Sequence, residues 1–138
     1  MKRTAMMFGL TLTLGIAVGV IWDRVLSAQQ EPVKRVELRR TDLAGIQGKE
    51  GIVVSSEIAP GAAIGKHYHP GHEFVYVLAG SGILEAEGKP PLTVKAGDTF
   101  YLPPKQVHDF KNNSKTAPVK NLIFLIVEKG QPVTVSVK

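Results

Sequence analysis

A chain of 138 residues is long enough for one compact domain and too short for two. It has no cysteine, which excludes disulfides, thiolate-bound zinc, iron–sulfur clusters and thiol nucleophiles, so any metal must be held by histidine and carboxylate. The formal charge of +5 does not point to nucleic acid: Lys2, Arg3 and Arg24 less Asp23 supply +2 of it, and the remaining basic residues are scattered without interleaved aromatics.

In chain order, the first element predicted is a leader. Lys2 and Arg3 open the chain, Thr4 to Trp22 carry no charge, and Ser27-Ala28 offer small residues before Gln29. A positive start, an apolar middle and a small-residue exit are the layout of a secretory signal. The uncharged run is also long enough to span a bilayer, so residues 1–28 are expected to be an apolar leader helix, either cleaved on export to the periplasm or kept as an anchor through residues 4–22. An uncleaved leader would be the only membrane contact.

From Glu31 onward the pattern is strand and turn. Val33–Leu38 alternates apolar and charged residues, as a half-exposed edge strand does, and Leu38–Gly48 has room for one helical turn at most. Gly51–Ile58 is β-branched and ends at Ala59-Pro60-Gly61. Strands are predicted over Phe74–Ala79, Ile83–Glu87, Leu92–Lys95, Thr99–Leu102 and Val107–Phe110, separated by Gly, Pro or Asn turns. Leu122–Val127 is continuously apolar, as expected of a strand covered on both faces. Short strands at this spacing predict an all-β sandwich or barrel.

Three of the four histidines and one glutamate fall within GAAIGKHYHPGHEFVYVLAG, Gly61 to Gly80. His67 and His69 share one face of a strand, roughly 6–7 Å apart, and can converge on one ion. Pro70-Gly71 allows a bend that returns Glu73 to the same cavity, while Gly61 and Gly80 stand where tight turns need no side chain. A second segment, GDTFYLPPKQVHDFKN from Gly97 to Asn112, reads as strand, corner and strand and brings His108 from a neighbouring strand. His72 has the opposite parity to Glu73, so exposure or a hydrogen bond at the cavity mouth outweighs coordination; Tyr68 has the same parity problem and a packing role. Val75, Val77 and Phe110 should line the interior. For Lys66, Tyr76, Tyr101 and Gln106 the sequence does not separate pocket from surface.

The two segments resemble the paired motifs of the cupin superfamily. The first, G-x5-H-x-H-x3-E-x6-G, is matched at every fixed position; the second, G-x5-P-x-G-x2-H-x3-N, is matched except that Lys105 stands where glycine is usual, a change expected to reshape the corner before His108. The resemblance implies a cupin jelly-roll β-barrel as a single domain over residues 29–138. It also implies one divalent transition-metal ion (Mn, Fe, Co, Ni, Cu or Zn) on His67, His69, Glu73 and His108, and a homodimer with the metal inside each barrel. Four protein ligands leave open positions on a six-coordinate ion. The expected function is therefore a metal-dependent enzyme acting on a small organic molecule, with oxygenase-like chemistry first. In that reading resemblance to quercetinase-like cupins makes Glu73 a proton acceptor and thus the catalytic candidate. The alternatives are a non-catalytic periplasmic module for a metal or small ligand, or a cupin isomerase or decarboxylase.

Overall fold

A computed structural model describes residues 31–138; the expected leader over residues 1–28 lies outside the described residues. Ten strands and no helix are found among them: β1 (Val33–Asp42), β2 (Lys49–Ile58), β3 (His67–Tyr68), β4 (His72–Ala79), β5 (Ser81–Ala86), β6 (Leu92–Lys95), β7 (Thr99–Leu102), β8 (His108–Lys111), β9 (Val119–Glu128) and β10 (Val135–Ser136). They form two antiparallel five-stranded sheets, in the orders β1-β2-β9-β4-β7 and β10-β3-β8-β5-β6, the layout of a jelly roll.

Alternation sets which residues meet between the sheets. Along β4, Glu73, Val75 and Val77 are buried while His72, Phe74, Tyr76 and Leu78 are exposed. Ile58, Val77 and Val119 from the first sheet pack against Leu84, Val94 and Phe110 from the second. Each such side chain contributes about 1.5–3 kcal/mol by leaving water. A second cluster of Ile52, Val75, Ile123, Leu125 and Val127 extends this core across the first sheet. Val75, Val77 and Phe110 therefore line the interior as their parity predicts.

Leu38–Gly48, with room for one helical turn at most, holds none: β1 continues to Asp42 past a bulge between Glu37 and Arg39, and turns then lead into β2. One expectation is corrected. The apolar run in β9 is not covered on both faces within its own chain. Ile123, Leu125 and Val127 are buried, but Leu122 and Ile126 are only half-buried and Phe124 is exposed. Those outward residues sit beside equally outward Tyr76 and Phe74 of β4, with Tyr101 of β7 beyond Phe74, so one broad apolar face of the sheet meets solvent. The strand β10, two residues long, has too little pattern to be read from sequence.

The turn residues of the two motifs have structural work to do. Gly61 and Gly80 adopt φ of +73° and +79°, where a side chain would be strained. Buried Asn112 donates from Nδ2 to the carbonyls of Ile58, Ala59 and Ala117, and its Oδ1 accepts from the Ser114 amide. It thereby ties the end of β2 to the loop that enters β9.

Candidate metal centre

The four residues singled out by spacing come together from both sheets. His67 on β3 pairs directly with His108 on β8, His69 follows β3, and Glu73 arrives on β4 from the opposite sheet. All four are buried. The rings of His67 and His69 lie 5.0 Å apart between centroids, those of His67 and His108 4.2 Å, and those of His69 and His108 5.5 Å. One ring nitrogen from each histidine lies within 4.8 Å of the others. Glu73 Oε2 stands 3.4 Å from His69 Nε2 and 3.3 Å from His108 Nε2.

Backbone carbonyls orient each imidazole. Nδ1–H of His67 donates to Gly65 O at 2.7 Å, that of His69 to Val133 O at 2.7 Å, and that of His108 to Gln106 O at 2.9 Å. A carbonyl only accepts, so each Nδ1 carries the proton and each Nε2 is left with its lone pair. The loop before His67 is itself pinned by the Gly65 amide donating to Asp109 Oδ1. None of these partners has a sequence signal. Val133 lies 64 residues from His69 and contributes only a backbone atom.

The electrostatics keep the set ready for a cation. Burial pushes the His67 imidazole down to about 4, against the opposing hydrogen bond to Gly65, and burial likewise lowers His69. Burial would raise the Glu73 carboxyl, but the imidazoles of His108, His69 and His67 outweigh it and hold Glu73 below the usual carboxylate range. Neutral imidazoles and an ionised carboxylate are the protonation states that coordinate a metal.

The fit to a metal can be judged from what the protein fails to satisfy. Nε2 of His67, Nε2 of His69 and Oε2 of Glu73 are buried without a hydrogen-bond partner among the described residues. Glu73 Oε2 and the Nε2 atoms of His69 and His108 approach one another as acceptors, with no proton between them. Buried orphans of this kind are costly, about 1–3 kcal/mol each, and an ion among them would satisfy all three at once. Three buried histidines can thus hold a metal, with Glu73 beside them. Nitrogen and oxygen donors without sulfur suit a divalent transition ion, with no single metal selected.

The remaining candidates separate cleanly. His72 is exposed on the outer face, where it hydrogen-bonds Tyr101 Oη at 2.8 Å and points away from the cavity. Tyr76 and Tyr101 share that outer face. Gln106 donates from Nε2 to the carbonyls of Glu87 and Val107, bracing the corner before β8. Lys66 lines two depressions on the flank of the site. Lys105 takes φ of +64°, the region for which glycine is usual, and its amide donates to His69 O at 2.8 Å. Lysine thus occupies a backbone conformation that favours glycine. Two residues that motif spacing passed over also face the site, Arg35 and Asn121.

A family described as the Cupin domain matches residues 54–128. The chain belongs to the cupin family. Among solved structures it is similar to the DMSP lyase DddQ from Ruegeria pomeroyi, at 19% identity and a TM-score of 0.63 over 82% of this chain and 55% of that one. It is also similar to an oxalate oxidase solved with the substrate analogue glycolate, at 24% identity and a TM-score of 0.61 over 77% of this chain and 55% of that one. A cupin-like protein from Thermotoga maritima aligns at 26% identity and a TM-score of 0.57, over 76% of this chain and 75% of that one. The chain thus spans about half the length of the two enzymes, and at these identities the likeness to them is one of fold. No curated protein matches the sequence.

Proposed function

We propose that this cupin holds one divalent transition-metal ion on His67, His69, Glu73 and His108 and is a metal-dependent, oxygenase-like enzyme acting on a small organic molecule. The observation that carries the reading is the convergence of three unsatisfied buried atoms, His67 Nε2, His69 Nε2 and Glu73 Oε2, at the end of an apolar interior. A bound ion would supply Lewis-acid polarisation and exchangeable positions for substrate, with one-electron chemistry if the metal is redox-active. The chain's own contribution is to orient and to keep dry. The Gly65, Val133 and Gln106 carbonyls fix three imidazoles, and Val75, Leu84, Phe100 and Phe110 wall the inner pocket against water. The inner pocket, of ≈ 10 Å³, has room for about one water-sized body, whereas a cavity of ≈ 180 Å³ beside His69 and Glu73 has room for a small molecule. Glu73 accepts a proton from a substrate seated there, because it lines both spaces and its Oε2 has no hydrogen-bond donor among the described residues.

Export to the periplasm, by a cleaved or anchoring leader, is supported by the charge and hydropathy of residues 1–28. Homodimerisation is supported by the outward apolar face of Phe74, Tyr76, Tyr101 and Phe124 and by the edge position of β1. The experiment that tests the function is anaerobic purification, elemental analysis, reloading with each candidate metal and a dioxygen-uptake screen over small enolisable and hydroxylated compounds. Substrate-dependent uptake by one metal form is the expected result. A fully loaded protein that turns over none of them would leave the non-catalytic binding module as the better reading.

A further inference from the structure

Registered pairing across the first sheet aligns an unusual row on its inner face. Arg35 of β1 pairs with Ser56 of β2, Ser56 with Asn121 of β9, and Asn121 with Val77 of β4. The rows on either side are apolar at their centres, Ile58–Val119 and Val54–Ile123–Val75. Polar residues on the inner face of a sandwich need a reason, and here two of them have no partner. Ser56 and Asn121 are 4% and 3% exposed, yet Ser56 Oγ and Asn121 Oδ1 make no hydrogen bond among the described residues.

Arg35 stands over the opening. It lines three of the spaces around the metal centre: the inner pocket with His67, Glu73 and His108, the ≈ 180 Å³ cavity with His69 and Glu73, and the outer depression beside His67. Its guanidinium forms no ion pair with any described residue, although Glu73 is close enough to act on it electrostatically. The other acid lining that cavity, Glu37, is engaged by Arg40 at 2.9 and 3.1 Å. Once a cation sits on Glu73, Arg35 is a fixed positive charge with five donors and nothing opposite it.

We propose that Arg35 binds the carboxylate of a small organic acid in the ≈ 180 Å³ cavity beside His69 and Glu73. The proposal deepens the enzymatic reading and rests on its metal centre for the placement of the ligand. A planar guanidinium matches a carboxylate through two parallel hydrogen bonds, which fixes orientation as well as affinity. An acid anchored at one end by Arg35 presents its adjoining carbon and oxygen atoms to Glu73 Oε2 and to the ion.

The test uses the full chain, metal-loaded, with lactate as the probe and its neutral isostere lactamide beside it. Calorimetric titration should give saturable lactate binding at least about tenfold tighter than lactamide binding. Arg35→Gln should remove that preference and weaken lactate by about tenfold or more, Arg35→Lys should restore part of it, and elemental analysis should give the same metal content in all three. Lactate binding unchanged in Arg35→Gln, or lactamide binding as tightly as lactate to the loaded wild type, would overturn the assignment, as would no saturable binding of lactate by loaded protein. Wild-type chain that takes up no metal would overturn the metal reading separately. In that case the same titration on the metal-free chain decides Arg35, which must still discriminate lactate from lactamide.

Discussion

Replacing Gly71 by Ala is the sharpest mechanical test of how the site is built. Gly71 lies in the bend between His69 and Glu73, and its backbone passes so close to β9 that a Cβ there would stand 2.0 Å from Ile126 O and 2.8 Å from Val127 Cγ1. Contacts that short do not exist, so β9 would have to recede by about 1 Å or more at Ile126. Ile126 pairs with His72 and Leu125 with Glu73, so the shift would be felt directly at a proposed ligand of the centre. The obstacle is backbone in the middle of a sheet, which cannot rotate aside, so the cost belongs at the upper end of overpacking, about 3 kcal/mol. For a domain of this size that lowers the melting temperature by roughly 10–20 °C. Thermal unfolding followed by circular dichroism measures it, with metal content read on the folded variant. Gly61→Ala is the control: it meets nothing within 4 Å and bears only the strain of φ +73°, so it should cost far less. If Gly71→Ala melts within about 2 °C of the wild type, the close approach of bend and strand is wrong.

Lys105→Gly removes a lysine from φ +64° and should raise the melting temperature by a few degrees, about 1 kcal/mol or less, without changing metal content; a clear fall would mean that the lysine side chain stabilises the corner in another way. In chelator-stripped protein, His67 and His69 bind protons less readily when folded than when unfolded, so their contribution is complete above about pH 6.5 and is lost as pH falls towards 4. The melting temperature should therefore drop progressively through that window, and a flat profile would contradict the burial of neutral imidazoles. Sedimentation equilibrium on the chain from Gln29 should give a dimer at tens of micromolar, and Phe124→Glu with Phe74→Glu should give a folded monomer. A wild type at monomer mass would refute the pairing.

Much of this architecture was legible because alternation is a local property. The period of two in Ile83–Glu87 and the β-branched Gly51–Ile58 mark strands whose partners need not be known. The cluster of His67, His69, Glu73 and His108 was legible because three of its members lie within seven residues and the fourth follows a glycine–proline corner. What was hidden depends on which strands become neighbours. Leu122–Val127 reads as fully covered because apolarity alone does not say whether a second layer lies outside the sheet. Arg35 reads as one more charge on an edge strand, and only its register with Ser56 and Asn121 turns it inward. The Val133 carbonyl that holds His69 carries no sequence information, since any residue offers one.

The central claim is the ligand set, and metal stoichiometry tests it most directly. Wild-type chain and the variants His67→Ala, His69→Ala, Glu73→Ala, His108→Ala and His72→Ala would be loaded identically, desalted and assayed by elemental analysis, with circular dichroism to show that each is folded. About one divalent ion per chain is expected in the wild type and in His72→Ala, whose imidazole faces Tyr101 on the outside of the sheet, and a sharp loss is expected in each of the other four. Loss of metal in His72→Ala equal to that in His67→Ala, or full retention in any of the four, would contradict the account.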